Sequence, residues 1–377
     1  MIHSFEAENF RLFDKVKINR FNQVNLIVGK NNAGKTALLE ALLLFFSRMS
    51  PDVIPELIET RQEYWLPAKP HGRKLFSSLM HFFKGHKTPN LDEEGFKLSS
   101  NNEDSIHVRT AAYVFEESAG EKKPRRVTQE EIKSLGIFLP EFYIIAESGN
   151  FSSIVTSLQE DAADLKRLAG GSQRKAIVGQ GVDTQRYKFV SARGIDDEES
   201  AFLWDGISLT DLEEDLLKGL RVIEPKLVGL RFVTIDHDVE HYCQAPGKIP
   251  LVKPDRNSDP VPLKSLGDGI IRIFHIILSL VSAKGGILLI DEFENGLHWE
   301  VQEKAWRTVF ELAGKLNVQV FATTHSRDCI TSFSKVWKEN AEKGAFIRIA
   351  KARDRTIITE YDTELLRDSL EMDTEVR

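Results

Sequence analysis

The chain has 377 residues, of which 41% are hydrophobic and 28% charged, with a formal net charge of −7. That balance suits a protein with a sizeable core and excludes an overall electrostatic pull towards nucleic acid, leaving only a local patch for such contact. Two cysteines, Cys243 and Cys329, make no disulfide framework, the opening MIHSFEAENF lacks a signal-peptide pattern, and no apolar run reaches about 18 residues, so a cytoplasmic protein without membrane contact is expected.

Ile2–Phe10 and Lys15–Ile18 read as two strands paired in a hairpin. Val24–Val28 is a short apolar run, as a buried parallel strand requires. Gly29-Lys30-Asn31-Asn32-Ala33-Gly34-Lys35-Thr36 then fits G-x-x-x-x-G-K-[ST], and Ala37–Phe46, rich in Leu and Ala, reads as a helix. Strand, glycine loop and helix come in the order that a phosphate cradle needs. Backbone N–H groups of Gly29, Asn31, Asn32, Ala33, Gly34 and Ala37 would face the phosphates, Lys35 would reach the β- and γ-phosphates, and the Thr36 hydroxyl would ligate Mg²⁺. Ser50 and Pro51 end the helix, and Asp52–Trp65 suggests another.

Pro67–Thr88 is basic and aromatic, and offers either a nucleic-acid contact or a solvated helix with a buried Phe face. Ser105–Glu116 alternates as a strand with Ile106, Val108, Ala112 and Val114 inward, Ser118–Arg126 is a charged turn, and Phe142–Ile145 is a paired strand. From Phe151 the chain is polar and irregular, with a short strand at Lys188–Ser191. Asp211–Val222 follows as an amphipathic helix capped by Thr210, with Glu213 completing a capping box. Leu230–Cys243 reads as a strand. It carries His237, His241 and Cys243 on one face, too spread for one metal ion, so an exposed strand face is the expectation.

The second half of the site lies near the end of the chain. Gly286–Asp291 is a buried strand ending in Asp291 and Glu292, suited to holding Mg²⁺ and to polarising an attacking water, respectively. Val318–Ala322 is a third such strand, followed by Thr323, Thr324, His325 and Ser326. Both deliver side chains to the same sheet edge as the phosphate loop. Lys264–Gly269 supplies small residues ahead of the helix Ile270–Val281, an anion cradle at a helix N-terminus.

In that order these segments resemble the ATP-binding-cassette superfamily in its SMC, RecF and OLD-like branch. NFRLF (Asn9–Phe13) is similar to the opening strand, SLGDG (Ser265–Gly269) to the signature loop, LLIDEFENGLH (Leu288–His298) to the Mg²⁺ strand and dimer-contact loop, and ATTHS (Ala322–Ser326) to the switch histidine. The ENGLH form is similar to stand-alone bacterial AAA-type ATPases found beside effectors in defence loci. The signature loop departs from the transporter form, with Gly267 in place of Ser and Ile270 in place of Gln, and Gln62, Gln159 and Gln173 all remain candidates for the Q-loop.

The resemblance implies an α/β fold: a P-loop NTPase with an ABC-ATPase-like head, a mixed central sheet and a helical insert lobe. The domain expectation is an ATPase lobe in two parts, 1–150 and 264–377, around an insert at 151–263. The implied cofactors are ATP and Mg²⁺, with Lys35, Glu292 and His325 as reactive-site residues and Thr36 and Asp291 at the metal. Ser265, Gly267 and Gly269 would meet the γ-phosphate held by a second protomer, so the implied unit is a homodimer sandwiching ATP. Phe10, Arg11 or Phe13 would meet the base, with ATP and GTP not distinguished. Only Arg327–Arg377 follows the switch histidine, too short for the Toprim domain of OLD nucleases, so an effector encoded nearby would supply nuclease or toxin chemistry. Three functions compete on this reading: an ATPase whose cycle regulates a partner in DNA maintenance or anti-phage defence, a nucleotide-gated scaffold with little turnover that holds such an effector inactive, and recognition of DNA ends or gaps in the manner of RecF, which would need a basic patch on the groove of the dimer. Nucleic acid is a further candidate partner.

Overall fold

The computed structural model describes residues 1–50, 53–63, 78–101, 104–118, 121–134, 140–149, 151–158, 186–235, 247–353, 355–372 and 376. The chain opens with the expected hairpin: β1 (Phe5–Phe10) pairs antiparallel with β2 (Phe13–Ile18). Every residue of β3 (Val24–Val28) is buried. A strand with no polar face must be covered on both sides, and α1 (Lys35–Phe46) supplies one cover. Every residue of α1 except Thr36 is buried, because its Leu, Ala and Phe side chains ring the whole helix. α2 (Val53–Thr60) follows; the rest of the helix expected up to Trp65 falls partly outside the described residues.

β4 (Phe96–Ser100), β5 (Ser105–Ser118), β6 (Glu121–Val127), the short α3 (Gln129–Ser134), β7 (Glu141–Ser148) and β8 (Phe151–Ser157) come next. With the hairpin they form an antiparallel sheet of order β2-β1-β4-β5-β7-β8, with β6 beside β5. Two expectations fail here. Ser118–Arg126 is mostly strand rather than turn, because Arg125 and Arg126 find carboxylates at Glu116, Glu131 and Glu147. Phe151–Ser157 is strand rather than irregular chain, with Ile154 and Val155 buried between serines that hid the pattern.

β9 (Tyr187–Val190), α4 (Asp197–Asp205), α5 (Asp211–Leu220), β10 (Gly229–Ile235), β11 (Gly247–Lys253) and β12 (Val261–Pro262) complete the middle of the chain. The stretch 151–263 therefore contributes to three sheets: β8 to the antiparallel sheet, β9 to the central one, and β10-β11-β12 to a small sheet of its own. The Thr210 side chain caps α5, accepting from Leu212 N. The Glu213 carboxylate takes Leu209 N–H instead of closing the box on Thr210.

The last segment holds α6 (Asp268–Ser282), β13 (Ile287–Ile290), α7 (Trp299–Leu316), β14 (Gln319–Thr324), α8 (Arg327–Glu339), β15 (Gly344–Ala352), β16 (Arg355–Tyr361) and α9 (Thr363–Glu371). The central sheet runs β16-β15-β3-β14-β13-β9, parallel throughout except between β15 and β16. This is a mixed α/β sheet. One face packs on α1, which also touches the antiparallel sheet; the other packs on α5, α6, α7 and α8. In register, Thr324 lies opposite Val28 and Ala322 opposite Ile290, so the carboxyl ends of β3, β13 and β14 form one edge.

Three expectations fall outside the described residues: the 64–77 part of the basic aromatic stretch, Gln159 and Gln173, and the His237, His241 and Cys243 trio. In the described remainder of the basic stretch, Phe82 and Phe83 are buried against Phe10 and Phe96.

Two buried polar groups make stability predictions. Gln319 bonds Ile2 N, Ile2 O and Asn22 O through its amide, tying the start of the chain to β14. Gln319→Leu leaves these groups dry at about 1–3 kcal/mol each, and a urea titration should register the loss. His275 on α6 accepts Ile195 N–H, and burial holds its pKa at about 4, below the usual 6.5. The unfolded chain therefore takes up a proton first as pH falls, so stability present above about pH 6.5 drains away towards pH 4. Unfolding free energy should drop by about 2 kcal/mol between pH 7.5 and 5 through this group, and His275→Gln should flatten that part of the profile.

Candidate functional site

The phosphate loop turns where β3 ends. A Cβ on Gly29 would lie 2.4 Å from the Ile349 carbonyl of β15, so only glycine fits there. Gly34 has φ 109°, and a Cβ on it would lie 2.8 Å from the Phe13 ring, which packs beneath the loop. Asn32 is left-handed as well, at φ 62°. No side chain caps α1, so its first N–H groups stay available at the loop. The buried Lys35 ammonium bonds the carbonyls of Gly29 (2.8 Å) and Lys30 (3.2 Å). Burial lowers its pKa, against the pull of Asp291, Glu292 and Glu294. A cavity of about 400 Å³ lies against residues 30–33 of the loop, with Arg348 and Lys351 of β15 on its other wall. No local sequence pattern marks those two cations.

Asp291 sits immediately after β13. The Thr36 hydroxyl faces its carboxylate at 3.3 and 3.4 Å, and Thr323 at the end of β14 donates to Asp291 Oδ1 at 2.6 Å. Thr36 and Asp291 are thus brought together as the sequence reading requires. A hydroxyl and a carboxylate are the hard oxygen donors that suit Mg²⁺, which retains waters and phosphate oxygens for its remaining positions. Among the described residues no group of three or more His, Cys, Asp or Glu gathers as a metal cage.

Glu292 has φ 50°, a left-handed conformation that costs a non-glycine residue about 1–2 kcal/mol. Thr323 Oγ1 accepts its N–H at 2.9 Å, and Arg272 Nη2 donates to its carbonyl at 2.8 Å. Its carboxylate is 3.6 Å from His325 Nδ1. Glu294 lies 3.4 Å from the same nitrogen, and its Oε1 accepts the N–H groups of His325 and Ser326 ahead of α8. One carboxylate therefore fixes the histidine's backbone relative to the β13 turn. Thr323, Arg272 and Glu294 carry this support, and the sequence reading gave none of them a role. Arg272 in particular shows in the sequence only as a charged residue within an apolar helix.

The signature-like loop stands apart. Ser265, Gly267 and Asp268 are exposed, Gly267 has φ 100° with open space around it, and no side chain caps α6. A Cβ on Gly269 would lie 3.2 Å from the Gly296 carbonyl, in the loop that follows Glu292. Arg11 is also not brought to the phosphate loop as a free group. It is buried, pairs with Glu40 and Glu63 at 2.6 Å each, and lies 4.6 Å over the Phe82 ring. Phe10 and Phe13 are fully buried too, so none of the three offers an open face to a base.

A family model described as an AAA ATPase domain matches residues 1–161 and 206–330. A Helicobacter pylori protein described as an ATP/GTP phosphatase is 25% identical over 356 residues, 90% of this chain and 89% of that protein. Among solved structures, an SMC head bound to the C-terminal winged-helix domain of ScpA aligns at TM-score 0.47 and 12% identity, covering 98% of this chain and 99% of that one. The SMC head domain from Thermotoga maritima aligns at TM-score 0.43 and 11% identity, covering 96% and 99%. Among the described residues no helix is long and apolar enough to cross a membrane.

Thr323→Val removes the donor to Asp291 and the acceptor for Glu292 N–H while nearly preserving shape. Turnover of ATP should fall about 10–100-fold, with a stability loss of about 1–3 kcal/mol, measured by phosphate release and by thermal unfolding.

Proposed function

The chain belongs to the AAA ATPase domain family, and from that premise we propose that two protomers close around Mg²⁺ and ATP, hydrolyse it, and use the cycle to regulate a partner protein. The observation that carries the reading is the meeting of Thr36, Asp291 and Thr323 beside the phosphate loop. Thr36 and Asp291 would hold Mg²⁺, which when bound neutralises charge developing on the phosphates. The loop N–H groups and Lys35 bind and orient the triphosphate. Glu292 takes the proton of the attacking water, since its carboxylate is partly exposed at the sheet edge and its backbone is held from both sides. His325, 3.6 Å from that carboxylate, orients it and reads the γ-phosphate.

The two-protomer arrangement is supported by the exposed, uncapped start of α6. No side chain caps its first N–H groups, although Asp268 stands in that turn, and Gly269 packs on Gly296 of the same protomer. The resulting opening and closing would act on a partner, an effector encoded nearby in DNA maintenance or defence being the favoured class.

The test is ATP turnover per protomer against protein concentration, with mass measured in solution. Activity should rise with concentration. Glu292→Gln should cut turnover about 100-fold or more while accumulating an ATP-dependent dimer. Flat activity across concentration, or a Glu292→Gln protein that stays monomeric with ATP, would overturn the reading.

A further inference from the structure

Arg272 is a buried cation whose task in the hydrolytic scheme is so far only to hold the Glu292 carbonyl. It lies one turn into α6, the helix that starts at the signature-like loop, and is 4% exposed. Its hydrogen bonds run to main-chain carbonyls: Nη1 to Ser191 (2.7 Å), Nη2 to Asp291 (2.6 Å) and Glu292 (2.8 Å), and Nε to Phe293 (3.5 Å). Burying a guanidinium this way is costly, and burial pulls its pKa down to about 10 although Asp291, Glu294 and Glu292 favour the charge. Such a cost is hard to account for by packing alone, since an apolar residue would suit the helix better.

The target of these bonds is the strained turn. Glu292, at φ 50°, is gripped at its N–H by Thr323 and at its carbonyl by Arg272. The two grips differ in kind. Thr323 belongs to β14, fully buried within the sheet. Arg272 belongs to a helix whose first residues are exposed and whose N-terminal N–H groups have no side-chain cap. A force on the start of α6 thus reaches the Glu292 carbonyl through one rigid, planar group.

We propose that Arg272 is a positioning residue that couples the 265–269 loop to the Glu292 carboxylate, so that an anion meeting the start of α6 sets the orientation of the general base. This rests on the two-protomer reading above, in which that anion is the γ-phosphate held by the other protomer. Hydrolysis is then licensed by engagement, and an isolated ATP-bound protomer holds its general base out of line.

The variant to make is Arg272→Lys, which keeps the charge but cannot span Ser191 on one side and Asp291 and Glu292 on the other. It should still form the ATP-dependent dimer with unchanged KM, while kcat falls about tenfold or more. A structural clamp alone would instead lower melting temperature, ATP binding and dimer formation together, and that pattern would overturn the coupling. In the wild-type protein, hydrogen–deuterium exchange should show ATP altering protection at 265–272 and at 291–293 together; a change confined to 265–272 would also overturn it. If wild-type activity shows no rise with concentration, the two-protomer reading fails and the coupling with it. If the rise is present and Arg272→Lys retains full turnover, the coupling alone fails.

Discussion

The parallel register of three buried strands is the constraint on which the site depends. β3, β14 and β13 have no exposed face among them, so they sit side by side under helices, and their hydrogen bonds fix Val28 opposite Thr324 and Ile290 opposite Ala322. Because all three run the same way, the residues just past their ends meet at one edge. Gly29, Asp291 and His325 are far apart in sequence and need no further device to come together. A slip of one residue in any pair would turn core side chains into the site and site residues into the core.

Around that edge, charge is handled in two ways. Near α1, Glu40 is deeply buried between Arg11 and Arg61, with Glu63 beside Arg11. Burial pushes the Glu40 carboxyl up, while the two guanidiniums oppose it. Such a network adds little net stability; it links the hairpin turn at Arg11 to Glu40 of α1 and to Arg61 and Glu63 just past α2. At the β13 turn the pattern differs: backbone atoms, not carboxylates, receive the buried Arg272, and the residue held is in a conformation that a free chain would avoid. Strain of this kind persists only where neighbours over-determine it; Thr323 and Arg272 are two such neighbours, and the Asn295 N–H, which also bonds the Glu292 carbonyl, is a third.

The parts legible in the sequence are those with local signatures. The glycine loop between an apolar strand and an apolar helix, the two strands ending in Asp291 and in Thr323–His325, and the Thr210 cap all follow from patterns within a few residues. Arg272 shows in the sequence only as a break in an apolar helix, since its meaning lies in carbonyls just past the ends of two distant strands. Phe13 beneath Gly34 and Glu294 at the start of α8 are likewise contacts between segments far apart in the chain. Arg11 illustrates the converse. Its place in a familiar opening motif suggested a nucleotide contact, while Glu40 and Glu63 claim its guanidinium. The strand at Phe151–Ser157 escaped notice because a single buried pair, Ile154 and Val155, carries its alternation.

The amide of Gln319 fastens Ile2 at the opposite end of β14 from Thr324, roughly 16 Å away at strand spacing. The segment ahead of β1 is therefore anchored at the edge of the central sheet furthest from the phosphate loop. For anyone immobilising the protein or attaching a reporter, this gives a natural geometry. A tether ahead of residue 2 leaves the nucleotide edge and the exposed start of α6 pointing into solution, provided the tether respects the two hydrogen bonds that hold Ile2 in place.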